Sequence, residues 1–285
     1  MNRNTVKILG IKIDALTGKE AIERLAQLME QKEPSILTTP NTEFIMRAQG
    51  DPDFLDIINN KSKMNLADSF GVLWAARFLS WKNPKNKLWR GIVIFFEWFF
   101  SLIFLPIFPH LYKNPIPEKL SGSDFIWEIG RFAAKNHYKM FLFGGAPTVA
   151  EKAALKMQTD IYDLRVTGVY PGVVAETEKV VEAINKSHAN ILLVALGAPL
   201  QEKWLLTNLK KTNCKVGIGL GGTFDFTAEV IPRAPKFMQK IGLEWFFRLL
   251  HQPSRLYRQL AIPRFAWKVL MERYGIARKS RDSSK

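Results

Sequence analysis

One carboxylate, several glycine turns and a row of arginines carry the chemistry this sequence could do. Asp68 ends the short apolar stretch Met64-Asn65-Leu66-Ala67, and Thr39 and Asn41 stand at the end of another, Ser35 to Thr39. A carboxylate at a strand end can take a proton from a hydroxyl. Gly144-Gly145, Gly197 and Gly221-Gly222 also follow apolar runs, the last continuing into Thr223, Phe224 and Asp225. Glycines there let backbone N–H groups approach an anionic ligand closely. Gln201 lies two residues after Pro199, in the first turn of a helix, where its amide can face the same crevice. Arg233, Arg248, Arg255 and Arg258 follow, and the last two, three apart, share one helix face. Together these groups could hold an anionic substrate beside a membrane. Each also has a plainer reading: Thr39 and Asp68 as helix caps, Asn41 as a turn residue, Gln201 as a helix-start partner, the tail as a solvated basic face. Glu202 reads as part of a solvated face with Lys203.

The elements that must position these residues follow from periodicity. Val6 to Asp14 reads as a strand or short hairpin around Gly10. Thr17 to Gln31 reads as a helix, with Thr17 and Glu20 forming a capping box and Ile22, Leu25 and Leu28 a stripe. Ser35–Thr39 and Met64–Ala67 are strands, each leading into a helix. From Gly122, with Ser123 or Asp124 as cap, helix and strand alternate: strands over Lys139–Phe143, Leu164–Val169, Asn190–Leu196 and Lys215–Leu220, with helices between. Repeated β-α units predict an α/β fold, a Rossmann-like parallel sheet with helices on both faces. Ligands bind such sheets off the carboxyl ends of the strands, so Thr39, Asn41 and Asp68 are placed to share one crevice with the glycine turns. Phe143-Gly144-Gly145 is not a GxGxxG fingerprint and does not indicate a dinucleotide site.

Four regions emerge. Residues 1–80 form a smaller N-terminal α/β part, 81–117 a hydrophobic insertion, 118–230 the Rossmann-like part, and 231–285 a helical, membrane-binding tail. The net charge of +15 is concentrated. Residues 81–117 hold five basic and one acidic side chain, and 231–285 thirteen and three, both amid Trp and Phe. Basic charge interleaved with bulky apolar groups fits an anionic membrane surface better than nucleic acid, although a basic, aromatic surface also suits single strands. Ile92 to Pro109 is apolar except for Glu97 and Ser101. About 20 apolar residues cross a bilayer, and Pro106 and Pro109 are expected to break the second half of this run. A crossing would also separate two halves of one sheet system. A re-entrant or interfacial hairpin returning near Phe104 to Pro109 is the expectation, with a buried oligomer-interface helix as the alternative. The lone Cys214 cannot form an intrachain disulfide and reads as a buried thiol, and MNRNTVKILGIKID lacks a signal peptide's apolar run, so a reducing compartment is expected. The four histidines and the cysteine show no metal-ligand spacing.

Taken together, Thr39-Pro40-Asn41, Ala67-Asp68 with Gly71, Gly197-Ala198-Pro199 with Gln201-Glu202, and Gly221-Gly222-Thr223-Phe224-Asp225 with Arg233-Ala234-Pro235 and Glu244-Trp245 resemble the WecG/TagA/CpsF glycosyltransferase family. The resemblance covers nearly the whole chain except 81–117 and the last dozen residues. It implies inverting, metal-independent transfer of N-acetylmannosamine, or its uronic acid, from a UDP donor to a polyprenyl-diphosphate-linked N-acetylglucosamine. That reaction belongs to cell-surface polysaccharide or teichoic acid synthesis at the cytoplasmic membrane face. By the resemblance Asp68 is the base, Thr39 belongs with it to the catalytic pair and lines the sugar pocket together with Asn41, and Gln201 sits beside the donor. Arg248, Arg255 and Arg258 belong to a tail that closes over the site and meets diphosphate. Lys119 stands where the family usually has arginine, keeping the charge and losing the bidentate fork. The resemblance implies no cofactor. The expected partners are the UDP-sugar, the lipid-linked acceptor, an anionic membrane surface and possible further copies of the chain, with no nucleic acid. The competing reading is a non-catalytic membrane-surface scaffold that binds UDP-sugar or lipid.

Overall fold

The computed structural model describes residues 3–86, 88–253 and 256–275, without the side chains of 105–107, 109–110 and 240. The chain opens with an antiparallel hairpin, β1 (Thr5–Ile8) and β2 (Ile11–Asp14), turning where Gly10 takes φ +79°. The capping box predicted from Thr17 and Glu20 starts α1 (Gly18–Met29), which buries Ala21, Leu25, Leu28 and Met29. Then come β3 (Ser35–Thr38), α2 (Thr42–Ala48), α3 (Pro52–Asp56), β4 (Ser62–Asn65), α4 (Phe70–Ser80) and α5 (Arg90–Ile107). The alternating region follows as α6 (Gly122–Lys135), β5 (Lys139–Gly144), α7 (Val149–Asp160), β6 (Arg165–Tyr170), α8 (Thr177–Ser187), β7 (Ile191–Ala195), α9 (Leu200–Asn208), β8 (Val216–Gly219) and α10 (Thr223–Thr227). The tail folds as α11 (Lys236–Lys240), α12 (Glu244–His251), α13 (Leu256–Gln259) and α14 (Ala261–Tyr274).

The six strands β3 to β8 form one sheet in the order β4-β3-β8-β7-β5-β6, every neighbouring pair parallel. Alternate side chains leave opposite faces of a strand. Leu142, Leu193 and Ile218 therefore pack with α1, α6 and α7 on one face, while Phe141, Phe143, Leu192 and Val194 pack with residues of α8 and α9 on the other. Each such buried side chain contributes roughly 2 kcal/mol. A third cluster joins the hairpin to α2, α4 and α14. Strands from 1–80 and 118–230 thus share a single sheet, and β3 pairs directly with β8. That pairing brings the carboxyl ends of β3, β4, β7 and β8 together.

Two local expectations are corrected and a third is met. The proline break is absent from the run's second half: α5 continues one residue past Pro106, to Ile107, where little helix is left for a proline to disrupt. The chain turns back only afterwards, through the 3₁₀ turn Pro109–Tyr112. The N-cap of α6 is Ser121 rather than Ser123 or Asp124. Cys214 is the buried thiol expected, 2% exposed, with its pKa pushed up to about 12 by burial.

Candidate active site

The carboxyl ends of those four strands open on a cavity of about 320 Å³. Asp68 lies just beyond β4, tied to the neighbouring strand exit by its N–H, which donates to Pro40 O at 3.0 Å. It does not cap α4, whose N-cap is Ser69. Its Oδ1 instead accepts the Gly122 N–H at 2.9 Å, at the start of α6. Burial pushes the Asp68 carboxyl up to about 7; the Gly122 N–H, Lys119 and Arg248 pull the other way, and Glu244 adds to the rise. A carboxyl with such a pKa can switch between holding and taking a proton near neutrality. Thr39 is buried, and its hydroxyl donates to Gly219 O at 3.0 Å, tying β3 to β8 at the cavity. Asn41 lines the cavity and caps α2 as well, its Oδ1 accepting from Phe44 N at 2.9 Å.

The two glycine turns on the opposite wall are held by one side chain. Gln201 Oε1 accepts the N–H of Gly197 at 3.2 Å and of Gly221 at 2.9 Å. Both glycines have positive φ, +80° and +57°, which side-chain-bearing residues rarely adopt. Gln201 Nε2 donates in turn to Glu202 Oε1 at 2.6 Å. The expected solvated Glu202 is therefore corrected: it is fully buried, and burial pushes its pKa up to about 7 against the Gln201 amide and a backbone N–H. Nothing in its sequence position marked this, because α9 has buried residues at both Gln201 and Glu202 and so departs from a simple stripe. Gln201 is 2% exposed and shapes the turns that line the cavity.

The tail supplies the remaining wall. Glu244 and Arg248 of α12 and Arg258 of α13 line the cavity beside Phe226, over whose ring the Arg248 guanidinium sits at 4.1 Å. Arg258 makes a two-point pair with Glu43, Nε to Oε1 at 2.8 Å and Nη2 to Oε2 at 3.0 Å. Burial raises the Glu43 pKa, but Arg258 and Arg47 outweigh it and hold the carboxyl below its ordinary value. Arg47 also bridges to Ala198 O at 2.8 Å. Glu43, Arg47 and Ser121 are cavity residues that the sequence reading did not single out, and Ser123 is one it offered only as a helix cap; the Glu43–Arg47 spacing of four was the available signal.

Of the other predicted residues, Lys119, Arg233, Gly144, Gly145 and Asp225 do not line the cavity. Lys119 stands 3.7 Å from Glu244. Arg233 pairs with Asp124 at 2.6 Å and approaches Glu244 at 3.7 Å, clamping the start of the tail to α6. Gly222 and Thr223 line the cavity, whereas Asp225 does not. Gly144 and Gly145 hold strand exits together: a Cβ on Gly144 would meet Ala195 backbone at 2.5 Å, and Gly145 O accepts from Gly172 N at 3.0 Å. Arg255 lies outside the described residues. Among the described residues no group of three or more His, Cys, Asp or Glu side chains is arranged to hold a metal ion.

The model of the glycosyl transferase WecG/TagA/CpsF family matches residues 6–99 and 104–279. The chain belongs to this family. It is 28% identical over 244 residues, 86% of this chain and 82% of the relative, to the N-acetylglucosaminyldiphosphoundecaprenol N-acetyl-beta-D-mannosaminyltransferase of Bacillus subtilis (strain 168). It is 26% identical over 270 residues, 94% and 93% of the two chains, to the protein of that name from Staphylococcus aureus (strain MRSA252). Membership makes the chain a glycosyltransferase, and every cavity residue from Thr39 to Arg258 falls within the family match. The match also takes in 81–99 and 104–117, which the resemblance read from the sequence had not covered.

Proposed function

We propose that the chain transfers N-acetylmannosamine, or its uronic acid, from a UDP donor to a polyprenyl-diphosphate-linked N-acetylglucosamine, with inversion and without a metal. The sugar and the acceptor come from the names of its relatives. The observation that carries the mechanism is Asp68, a carboxyl with a pKa of about 7 on the wall of a cavity that also presents Arg248 and Arg258. The acceptor hydroxyl attacks the anomeric carbon, its proton passes to Asp68, and the bond to UDP breaks on the opposite side. A single displacement of this kind inverts the anomeric centre. Charge left on the departing diphosphate is neutralised by the guanidiniums of Arg248 and Arg258, where arginine offers paired donors. The N–H groups of the Gly197 and Gly221 turns, already engaged with Gln201, fix the wall against which the donor rests. Because Glu244, Arg248 and Arg258 come from the tail, the cavity is complete only when the tail is docked, which limits wasteful hydrolysis of the donor.

The test is UDP release from UDP-N-acetylmannosamine, measured with and without a short-chain polyprenyl-diphosphate N-acetylglucosamine. Release that requires the acceptor supports the reading. Release only from the uronic acid donor keeps the mechanism and changes the sugar. Release from neither donor removes the proposal.

A further inference from the structure

The α5 helix is built inside out for water. Its residues nearest the protein form one stripe, Ile94, Glu97, Trp98 and Ser101, spaced three, one and three apart. That stripe contains the polar side chains of the apolar run, and each is bonded inward. Glu97 accepts from Arg273 Nη2 at 2.5 Å, and Ser101 Oγ accepts from Trp74 Nε1 at 2.9 Å. Trp98 Nε1 donates to Ala266 O at 2.9 Å. The opposite face carries Ile92, Phe95, Phe96, Phe99, Phe100 and Ile103, each between 43% and 51% exposed. A surface helix in water normally turns such a face to the core and its polar residues outward. A patch of this kind marks a site of association.

We infer that the outward face of α5 is a lipid-docking surface, lying in the interface plane of an anionic bilayer. The charge around it identifies the occupant. Lys82 and Lys85 before the helix and Lys113 after it are exposed, while Glu97, the acidic residue of this region, is turned inward. On α14, the exposed Arg264 and Lys268 flank Trp267, which is 54% exposed with its ring 6.5 Å from Trp98. Basic residues and tryptophan around an apolar strip match headgroups and the acyl boundary beneath them. A second copy of the chain across a two-fold axis would set these positive charges against their equals. With one stripe fixed to α4 and α14, the helix cannot be surrounded by lipid. It lies along the surface for about 27 Å, 18 residues at about 1.5 Å each. Among the described residues no helix is long and apolar enough to cross a membrane. This inference goes beyond the proposed reaction and does not depend on it.

The experiment is flotation of the full chain with phosphatidylcholine vesicles, with and without phosphatidylglycerol, alongside light scattering of the free protein. No sugar donor is present, so the result is independent of whether the proposed transfer occurs. The wild type is expected to float with the phosphatidylglycerol vesicles. The double variant Phe96→Glu/Phe100→Glu is expected to lose at least about tenfold in partitioning, while its circular dichroism stays unchanged because both side chains are already half-exposed. Equal flotation of variant and wild type would overturn the inference and place the contact elsewhere. Failure of the wild type to bind vesicles, with a dimer dissolved by the same substitutions, would overturn it in favour of a second copy of the chain.

Discussion

Asp68→Asn separates catalysis from stability because the two should move in opposite directions. The substitution keeps the shape and leaves an oxygen to accept the Gly122 N–H, now 2.9 Å from Oδ1. It removes the base, so kcat should fall roughly a hundredfold to ten-thousandfold. The wild-type carboxyl is raised from its ordinary 3.8 to about 7, mainly by burial. The folded chain therefore binds a proton that the unfolded chain has released, and stability falls as pH climbs from about 4 to about 7. The difference is about three pH units, each worth about 1.4 kcal/mol, so the ionised side chain costs up to about 4 kcal/mol at pH 8. Asparagine does not ionise. Urea unfolding at pH 8 should show the variant more stable by up to that amount, with the gap narrowing to less than half of it at pH 5. Wild-type kcat/KM should rise about tenfold per pH unit below about 7 and level off above it. An Asp68→Asn protein that keeps turnover within a few-fold of wild type, or a wild-type profile without an inflection near 7, would refute Asp68 as the base.

Arg258→Ala should lower kcat/KM roughly tenfold to hundredfold in the UDP-release assay. Its stability should change by no more than about 1 kcal/mol, because Arg258 is 46% exposed and Glu43 keeps Arg47 as a second partner. Arg258→Lys should recover only part of the loss, since lysine lacks the two-point geometry. Glu202→Gln should keep an acceptor for the Gln201 amide and hold activity within a few-fold. Glu202→Ala should cost about 1–3 kcal/mol in urea unfolding and raise KM for the donor, because the buried amide loses its partner. Gly219→Ala would set a Cβ 2.7 Å from Gln201 Nε2 and Glu202 Oε1, and should destabilise the fold by about 1–3 kcal/mol in the same measurement.

Much of this protein could be read directly from its residues. The α1 helix was legible because Thr17, Glu20 and the Leu25–Leu28 stripe are local signals that agree. The buried strands were legible as short apolar runs ending in glycine or polar residues, and the strand-end rule then placed Thr39, Asn41, Asp68, Gly197 and Gly221 around one crevice. Tertiary structure decided what each of those residues does there. Asn41 is both cap and cavity residue, and Asp68 faces α6 rather than its own helix, because the chain around Lys119 to Gly122, more than fifty residues later, packs beside the β4 exit. Glu202 sits beneath the turns because α9 presses its first turn against Gly219, a contact between segments that periodicity does not record. The composition of α5 announced an apolar segment, but only packing against Trp74, Ala266 and Arg273 decided which stripe faces protein and which faces outward. Sequence by itself determined the elements, since caps and hydrophobic periods act within a few residues. Which side chains meet, and hence which carboxyl is held near neutrality, depends on burial and charge brought together by the fold.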